Sequence, residues 1–178
     1  MEDLIRQLIE NVGENPDREG LKNTPKRVVK SWGKIFSGYK KKPEDVFTVF
    51  DSEKYDGMIL VRDIEFYSTC EHHLLPFSGK VHIGYIPNGK IIGLSKLPRL
   101  VEIFARRMQN QERLTTQVAQ SLDSLLHPKG VGVIVEAKHF CMMARGIEKQ
   151  NSKATTSALT GLFKTNLNTR AEFLKLVR

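Results

Sequence analysis

The two cysteines of this chain constrain its fold more than any other feature, because each of them stands close to histidine. Cys70 belongs to the run Ser-Thr-Cys-Glu-His-His (68–73), and Cys141 ends the run His-Phe-Cys (139–141). Thiolates and imidazoles are ligands that zinc prefers in proteins. If both runs bind one ion, the fold must bring together two cysteines that are 71 positions apart.

The spacing of these residues indicates which of them bind the metal. Cys70 and His73 are three residues apart and can close a small loop around an ion, whereas adjacent histidines rarely both reach one. His72 is then free for another task, and His139 should lie nearby. Three protein ligands leave the fourth tetrahedral position of zinc open to water, which is the pattern of a catalytic site. A bound water of this kind has a pKa near 7, and free histidines beside it could move protons.

Two alternatives to a catalytic metal remain open at this point. One is a disulfide between the two cysteines, which a reducing cytoplasm disfavours. The other is a structural Cys2His2 zinc site, although the sequence has no Cys-x-x-Cys pair. The number of ligands favours catalytic zinc over structural zinc.

The composition predicts a soluble cytoplasmic protein. The chain has 178 residues, of which 40% are hydrophobic and 27% charged, so we expect one domain or one domain with an appendage. There is no run of about 18 apolar residues that could span a membrane. The first residues (1–6) do not resemble a secretory signal.

The net charge of +8 indicates an anionic partner, which could be nucleic acid, a phosphate-bearing substrate or a membrane surface. The basic residues are spread along the chain, and only Lys40, Lys41 and Lys42 form a run. Charge alone does not choose among these partners.

The N-terminal third predicts helices. Apolar residues recur at helical spacing from 2 to 12, and Thr24-Pro25 is typical of a second helix start. We expect an irregular stretch up to about residue 55. Residues 1–55 are therefore predicted to be a helical segment appended to a catalytic domain that spans 56–178.

Strands are predicted from Met58 onwards. The run 80–85 alternates apolar and other residues, and Asn88-Gly89 after it predicts a hairpin whose return strand is 91–94. His82 lies in the middle of this strand, and we expect it to be a surface or half-buried residue and not a ligand.

The rest of the chain predicts two helices followed by two strands. Ser95 can cap the first helix, and the second runs from about 112 to 126. Alternation along a strand from 131 to 141 would place His139 and Cys141 on one face. A Thr-rich strand covers 153–160, and Thr169 opens a capping box for a C-terminal helix. This order favours an antiparallel α+β domain over a doubly wound sheet.

At this point the chain resembles a known family, GTP cyclohydrolase I, over nearly its whole length. The motifs that carry the resemblance are Gly-Glu-Asn-Pro-Asp-Arg-Glu-Gly-Leu (13–21), Ser-Thr-Cys-Glu-His-His (68–73), Gly-Leu-Ser-Lys-Leu-Pro-Arg (93–99), Gln-Asn-Gln-Glu-Arg-Leu-Thr (109–115) and His-Phe-Cys-Met-Met-Ala-Arg-Gly-Ile (139–147). So many matches in one order make the resemblance specific.

The resemblance implies a fold and a reaction. The fold is the tunnelling fold (T-fold), an antiparallel four-stranded sheet with two helices packed on it, whose subunits assemble into a homodecamer with active sites at subunit interfaces. The enzyme is a hydrolase acting on cyclic amidine C–N bonds. It converts GTP and water to 7,8-dihydroneopterin triphosphate and formate, the first step of tetrahydrofolate and pterin synthesis.

The resemblance also implies roles for individual residues. Zinc is held by Cys70, His73 and Cys141, while His72 and His139 transfer protons. Gln111 and Glu112 bind the guanine base. The triphosphate is bound by Ser95, Lys96, Arg99 and Arg145, with Arg27 and Lys30 as further phosphate contacts from a neighbouring subunit.

Two other functions remain to be weighed against this one. A related tunnelling-fold enzyme could act on another purine or pterin and would not need the phosphate cluster. A zinc-stabilised nucleic-acid-binding protein would also be basic, but the chain lacks a clustered basic stripe with an aromatic platform. We therefore expect GTP as the partner, and neither nucleic acid nor a membrane.

Overall fold

The computed structural model describes residues 1–178, which form seven helices and seven strands. The helices are α1 (Glu2–Asn11), α2 (Thr24–Ile35), α3 (Lys96–Ala105), α4 (Gln111–Leu126), α5 (Phe140–Met143), α6 (Gly161–Thr165) and α7 (Leu167–Val177). The strands are β1 (Val49–Asp51), β2 (Ile59–Cys70), β3 (Pro76–Ile86), β4 (Lys90–Ile92), β5 (Met108–Gln109), β6 (Gly130–His139) and β7 (Ala154–Leu159). Two short 3-10 turns, Ser37–Lys40 and Pro43–Val46, follow α2.

The main sheet has the strand order β5-β2-β3-β6-β7. Its four long strands are all antiparallel, and the two-residue β5 adds to β2 in parallel. The predicted α+β class, with an antiparallel four-stranded sheet and helices packed on it, is confirmed. The only addition to that sheet is the short edge strand.

The larger hydrophobic core lies between the sheet and the two helices α3 and α4. Val81, Ile83 and Tyr85 alternate along β3 and are completely buried against these helices. Tyr85 is a buried phenol, and its hydroxyl accepts a hydrogen bond from the backbone N–H of Ile92 at 3.2 Å. Because a buried hydroxyl needs a partner, this bond ties β4 to the core.

The opposite face of the sheet is covered by the C-terminal helices. Phe163 of α6 and Phe173 of α7 are fully buried edge to face, with ring centroids 5.2 Å apart. They lie over Gly132, where an added Cβ would stand 2.6 Å from the Phe163 ring. Glycine is needed here because a larger residue would push the rings away from the sheet.

His82 lies on the same face of the sheet and is only 4% exposed, which differs from the prediction made from the sequence. Its Nδ1 accepts a hydrogen bond of 3.2 Å from the backbone N–H of Asp63, which lies at a bulge in β2 with φ of 60°. Burial is the main cause that lowers the pKa of His82. The prediction of a surface or half-buried residue was wrong because α6 and α7 cover a face that strand alternation alone left open.

The hairpin predicted at Asn88-Gly89 has a different partner from the one expected. The chain does turn there, but β4 pairs with β1 and not with β3. The long hairpin of the sheet is instead β2–β3, and its turn holds the run 70–75. The stretch before residue 55 is thus not wholly irregular, since β1 lies in it.

Two predicted boundaries also differ from the structure. The strand predicted from 131 to 141 ends at His139, and Cys141 lies in the helical turn α5. The C-terminal helix is capped by Asn166, whose side chain accepts from the N–H groups of Asn168 and Thr169, so Thr169 lies inside the helix. No helix has both the length and the apolar character needed to cross a bilayer.

Candidate active site

The fold brings together Cys70, His73 and Cys141, as predicted from the sequence. The first two lie in the β2–β3 turn and the third in α5, and their ligand atoms all lie within 4.8 Å of one another. The Sγ of Cys70 is 3.8 Å from the Nδ1 of His73. Both cysteines are free thiols and are buried, so this group could hold a metal ion.

Backbone hydrogen bonds shape the turn that carries two of these residues. The N–H of Cys70 donates to the carbonyl of Leu75 at 2.8 Å, and the N–H of Leu74 donates to the carbonyl of Cys70 at 2.9 Å. Leu74 has a φ of 56° in the left-handed region, which bends the chain back towards β3. The turn therefore keeps the ligand atoms of Cys70 and His73 close to each other.

Glu71 anchors the turn to the start of α4. Its carboxylate accepts from both terminal nitrogens of Arg113 at 2.6 Å each and from the amide of Asn110 at 2.9 Å. The hydrogen bond from Arg113 is the main cause that lowers the pKa of Glu71 to about 2. The carboxylate is therefore charged, and the anchor intact, at any pH near neutrality.

The donor set fits zinc. Two thiols and one imidazole suit this metal, and three protein ligands leave a coordination position open. Burial, followed by the charge of Cys70, raises the pKa of the Cys141 thiol, whereas the nearby Arg145 lowers it. A bound divalent cation would reverse this effect because metal-bound thiols are deprotonated.

His72 lies at the rim of this group. Its side chain is 65% exposed, and its Nδ1 is 3.9 Å from the Sγ of Cys70. Its Nε2 is 3.7 Å from the carboxylate of Glu71. His72 is thus beside the candidate ligands and open to a molecule that enters from solvent.

His139 ends β6 two residues before Cys141 and is more enclosed than His72. Its ring stacks on Phe77, with centroids 4.6 Å apart and planes within 4°. Its Nε2 is 2.8 Å from the Oε1 of Gln111. Burial lowers the pKa of His139, and the charge of Glu112 partly offsets this effect.

The two residues predicted to bind the base lie together at the start of α4 but differ in exposure. Glu112 is exposed at the N-terminus of the helix, whereas Gln111 is only 2% exposed. The Nε2 of Gln111 donates to the carbonyl oxygens of Val135 and Ala154 at 3.0 Å each. The role of Gln111 in base binding stays a prediction.

Only one of the residues predicted to bind the triphosphate lies beside the Cys-His-Cys group. The guanidinium of Arg145 donates to the carbonyl of Cys141 at 3.3 Å. Ser95, Lys96 and Arg99 lie at the opposite end of α3 from β5, which pairs with Cys70. The ten residues of α3 span about 15 Å. The roles of Ser95, Lys96 and Arg99 in phosphate binding stay predictions.

The remaining pair, Arg27 and Lys30, lies on α2, and both side chains are exposed. No residue of α2 belongs to the Cys-His-Cys group. Their contact with phosphate from a neighbouring subunit stays a prediction.

Sequence reasoning missed three residues that support the site. Arg113 and Asn110 anchor Glu71, and Phe77 stacks on His139. Glu71 and Arg113 are 42 positions apart, so no local pattern could pair them. An alternation argument for β3 could have found Phe77, since it is opposite His139 in the ladder.

The fold is α+β, and its hairpin turn and α5 together supply a Cys-His-Cys group with two further histidines beside it. These features define a candidate metal-dependent enzyme. A family model for GTP cyclohydrolase I matches residues 1–178. The chain therefore belongs to the GTP cyclohydrolase I family, and its activity is the hydrolysis of GTP for which the family is named.

Relatives of known name agree with the family model. The GTP cyclohydrolase 1 of Leptospira biflexa is 57% identical over 180 residues, which covers 100% of this chain and 98% of the relative. That of Wolinella succinogenes is 54% identical over 179 residues, which covers 100% of this chain and 96% of the relative. Among solved structures, the apo form of an archaeosine synthase QueF-like has a TM-score of 0.49 at 17% identity, over 58% of this chain and 93% of that one.

Proposed function

We propose that this chain is a zinc-dependent hydrolase that converts GTP and water to 7,8-dihydroneopterin triphosphate and formate. The observation that carries the proposal is the convergence of Cys70, His73 and Cys141, whose ligand atoms lie within 4.8 Å of one another. Membership of the GTP cyclohydrolase I family supports the substrate. The product is the entry compound of tetrahydrofolate and pterin synthesis.

The metal is proposed to be held by these three side chains. When bound, zinc supplies Lewis-acid chemistry that makes water nucleophilic near neutral pH. The protein contributes a turn that is anchored by Glu71 and a partly enclosed surface around the ligands. Because the ligands come from two distant segments, they are correctly placed only in the folded sheet.

Proton transfer is assigned to His72, whose Nδ1 is 3.9 Å from the Sγ of Cys70, and to His139, which precedes Cys141 by two residues. A general acid or base must reach the atom with which it exchanges a proton, and two histidines can serve two positions on one substrate. His72 is exposed and can meet the mobile part of the substrate. His139 is held by stacking and a hydrogen bond, which suits a group that must keep one orientation.

Glu112 is proposed to receive the guanine base. A carboxylate can accept two N–H groups of guanine side by side, which is a charge-assisted and directional contact. Its position at the N-terminus of α4, two residues from the Asn110 cap, holds the carboxylate near His139. Gln111 is proposed as the second base contact, though its amide is engaged within the subunit.

The triphosphate is proposed to bind to Arg145 of one subunit and to Ser95, Lys96 and Arg99 of another. Fixed cations stabilise a highly anionic tail, and arginine adds bidentate geometry. Ser95, Lys96 and Arg99 lie at the end of α3 that is remote in sequence from β5, the strand beside Cys70, and this placement supports a site that two subunits share. Arg27 and Lys30 are proposed as further phosphate contacts from a neighbouring subunit.

A homodecamer is the proposed assembly. The outer edge of β7 is unpaired, and β5 covers only the end of the outer edge of β2. Unpaired strand edges are a liability that edge-to-edge joining of subunits removes. A cytoplasmic location remains a prediction from the sequence.

The test is a metal assay and a formate assay on the same purified, zinc-loaded protein. We expect about one zinc per chain, formate release from GTP, and a product that fluoresces after oxidation and dephosphorylation. A Cys141→Ala variant should lose both metal and formate release. Equal turnover of GTP by the variant and the parent protein would refute the proposal.

Guanosine serves as the matched substrate control. It keeps the base and ribose but lacks the triphosphate, so its binding should be much weaker if the cationic residues act as proposed. Equal Michaelis constants for guanosine and GTP would favour a related enzyme that acts on another purine or pterin.

A further inference from the structure

The side-chain amide of Gln111 is a buried junction between two strands and a proposed catalytic histidine. Its Nε2 lies 3.0 Å from the carbonyl oxygens of Val135 and Ala154 and 3.2 Å from the Oγ1 of Thr156. Its Oε1 lies 2.8 Å from the Nε2 of His139. All the polar atoms of this amide therefore have partners inside the subunit.

The two carbonyl oxygens determine the orientation of the amide. A carbonyl oxygen only accepts hydrogen bonds, so the group that faces Val135 and Ala154 must be the NH2. The reversed amide would set its oxygen against two other oxygens in a buried place, which is costly. The amide oxygen of Gln111 must therefore face His139.

This orientation in turn selects the tautomer of His139. An amide oxygen can only accept, so the ring nitrogen that faces it at 2.8 Å must carry a hydrogen. In a neutral histidine the partner of one ring nitrogen decides where the single proton resides. Nε2 is then the protonated nitrogen, and Nδ1 carries the lone pair.

We propose that Gln111 is a positioning residue that holds His139 as the Nε2–H tautomer and so leaves the lone pair of Nδ1 as the acceptor that this ring can offer to substrate. The lone pair of Nδ1 can accept a hydrogen bond from substrate while the Nε2–H bond to Gln111 stays intact. Stacking on Phe77 keeps the ring plane constant throughout. The statement about substrate rests on the proposed function, whereas the statement about the tautomer does not.

The tautomer can be measured directly in the unmodified protein. We would record long-range nitrogen–proton NMR spectra of the ¹⁵N-labelled, zinc-loaded full chain at a pH of about 8, above the ordinary histidine pKa of about 6.5. The His139 signals are identified by their loss in a His139→Ala variant. A protonated Nε2 with an unprotonated Nδ1 is expected, and a protonated Nδ1 would overturn the proposal.

A pair of variants separates positioning from simple packing. Gln111→Met keeps the length of the side chain but removes both ends of the junction, so His139 should show mixed tautomers. Thr156→Val removes one acceptor of the amide but leaves the two carbonyl oxygens that orient it. The His139 tautomer in Thr156→Val should therefore match that of the parent, and mixed tautomers there would contradict the argument from the carbonyl groups.

Kinetics distinguish this role from a contact with the base. Loss of a supporting hydrogen bond should lower kcat of Gln111→Met by about 10- to 100-fold, as for other residues that orient a functional histidine. The Michaelis constant for GTP should change less than kcat, because the proposed contact of Glu112 with the base is kept. A raised Michaelis constant with unchanged kcat would assign Gln111 to the base and overturn the positioning role. If the parent protein has no activity on GTP, the proposed function fails, while the NMR result still decides the tautomer.

Discussion

Glu71 shows how one side chain can serve a site without touching substrate. It stands between a candidate ligand, Cys70, and a proposed acid–base residue, His72. Both of its oxygens accept hydrogen bonds from Arg113, and one of them also accepts from Asn110. Such support of ligand-bearing segments commonly changes metal affinity when it is removed.

We predict that Arg113→Met weakens zinc binding by about 10- to 100-fold, because the turn that carries Cys70 and His73 loses its anchor. Competition with a zinc chelator of known affinity measures this effect. Arg6→Met is the matched control, since Arg6 holds Asp17 by two hydrogen bonds of 2.8 and 2.7 Å far from the metal group. Equal affinities in the two variants would show that the anchor does not act on the metal.

Protonation of the buried His82 is expected to make the free energy of unfolding depend on pH. Burial lowers its folded-state pKa, so the unfolded chain takes up a proton first as the pH falls. The contribution of neutral His82 to the free energy of unfolding is complete above a pH of about 6.5, the ordinary histidine pKa. It is lost as the pH falls from there through the lower folded-state pKa. In His82→Asn the fall of the urea midpoint below that pH should be smaller. An unchanged pH dependence would mean that His139, whose pKa is also lowered, dominates.

At the scale of elements, the covering of the sheet by α6 and α7 depends on glycine. A Cβ at Gly132 would lie 2.6 Å from Phe163 and 2.8 Å from Phe173. We predict that Gly132→Ala destabilises the protein by about 1–3 kcal/mol, because overpacking displaces both rings. Urea unfolding with tryptophan fluorescence measures this change.

A second glycine substitution serves as the control, and it should change the stability in the opposite direction. Gly33 is an exposed position inside α2, and a Cβ there would meet nothing within 4 Å. Gly33→Ala should stabilise the protein by up to about 1 kcal/mol through helix propensity alone. Destabilisation of similar size by both substitutions would contradict the steric explanation.

The strands and helices were predictable where a regular pattern extends over several residues. β6 was predicted correctly up to His139, because apolar residues alternate along it, but the pattern could not show that the chain turns into α5 before Cys141. The prediction that Cys141 lies beside Cys70 and His73 is still correct, because the helical turn α5 also places Cys141 close to the hairpin turn. Asn88-Gly89 correctly predicted a turn before β4. The strand that pairs with β4 is β1, which is distant in the sequence, and no local signal identifies that pairing.

For the site, sequence reasoning identified residues that carry chemistry more readily than those that support it. Cysteine beside histidine is a rare local pattern, so the three candidate ligands could be chosen before the fold was known. Arg113, by contrast, is one of many basic residues, and only the folded chain pairs it with Glu71. The amide of Gln111 is likewise informative only because the carbonyl oxygens of two strands meet it.

At the scale of the whole molecule, the position of α3 bears on the proposed sharing of the active site between two subunits. Lys96 and Arg99 lie in the first half of this helix, which is about 15 Å long, and β5, which pairs with Cys70, follows its end. A substrate with a base at one end and a triphosphate at the other can bridge residues of two subunits. Under this proposal, the metal ligands of one site belong to one chain and Ser95, Lys96 and Arg99 of that site belong to another.

We predict that two inactive variants restore activity when their subunits are mixed. Cys141→Ala lacks a metal ligand and Arg99→Ala lacks a phosphate contact, so hybrid assemblies contain some sites built from two intact halves. With random exchange at a head-to-tail interface, about a quarter of the sites should be complete. Formate release after co-refolding measures the recovery.

The control mixture is Cys141→Ala with His139→Ala, whose defects lie in the same half of the site. No site in these hybrids has an intact metal half, so formate release should stay at the level of the separate variants. Recovery in both mixtures, or in neither, would argue against the proposed division between subunits.

The position of Cys141 in α5 has a consequence for how the chain matures. An ion bound to both cysteines would act as a removable cross-link that closes a loop of 71 residues. A cross-link over such a loop lowers the entropy of the unfolded chain by an amount worth about 4 kcal/mol in stability. Cys141 lies two residues beyond the end of β6, so the pairing of β6 with β3 is what brings it to the hairpin turn. Metal uptake would thus mark the chains whose central sheet is complete and then retain them in that state.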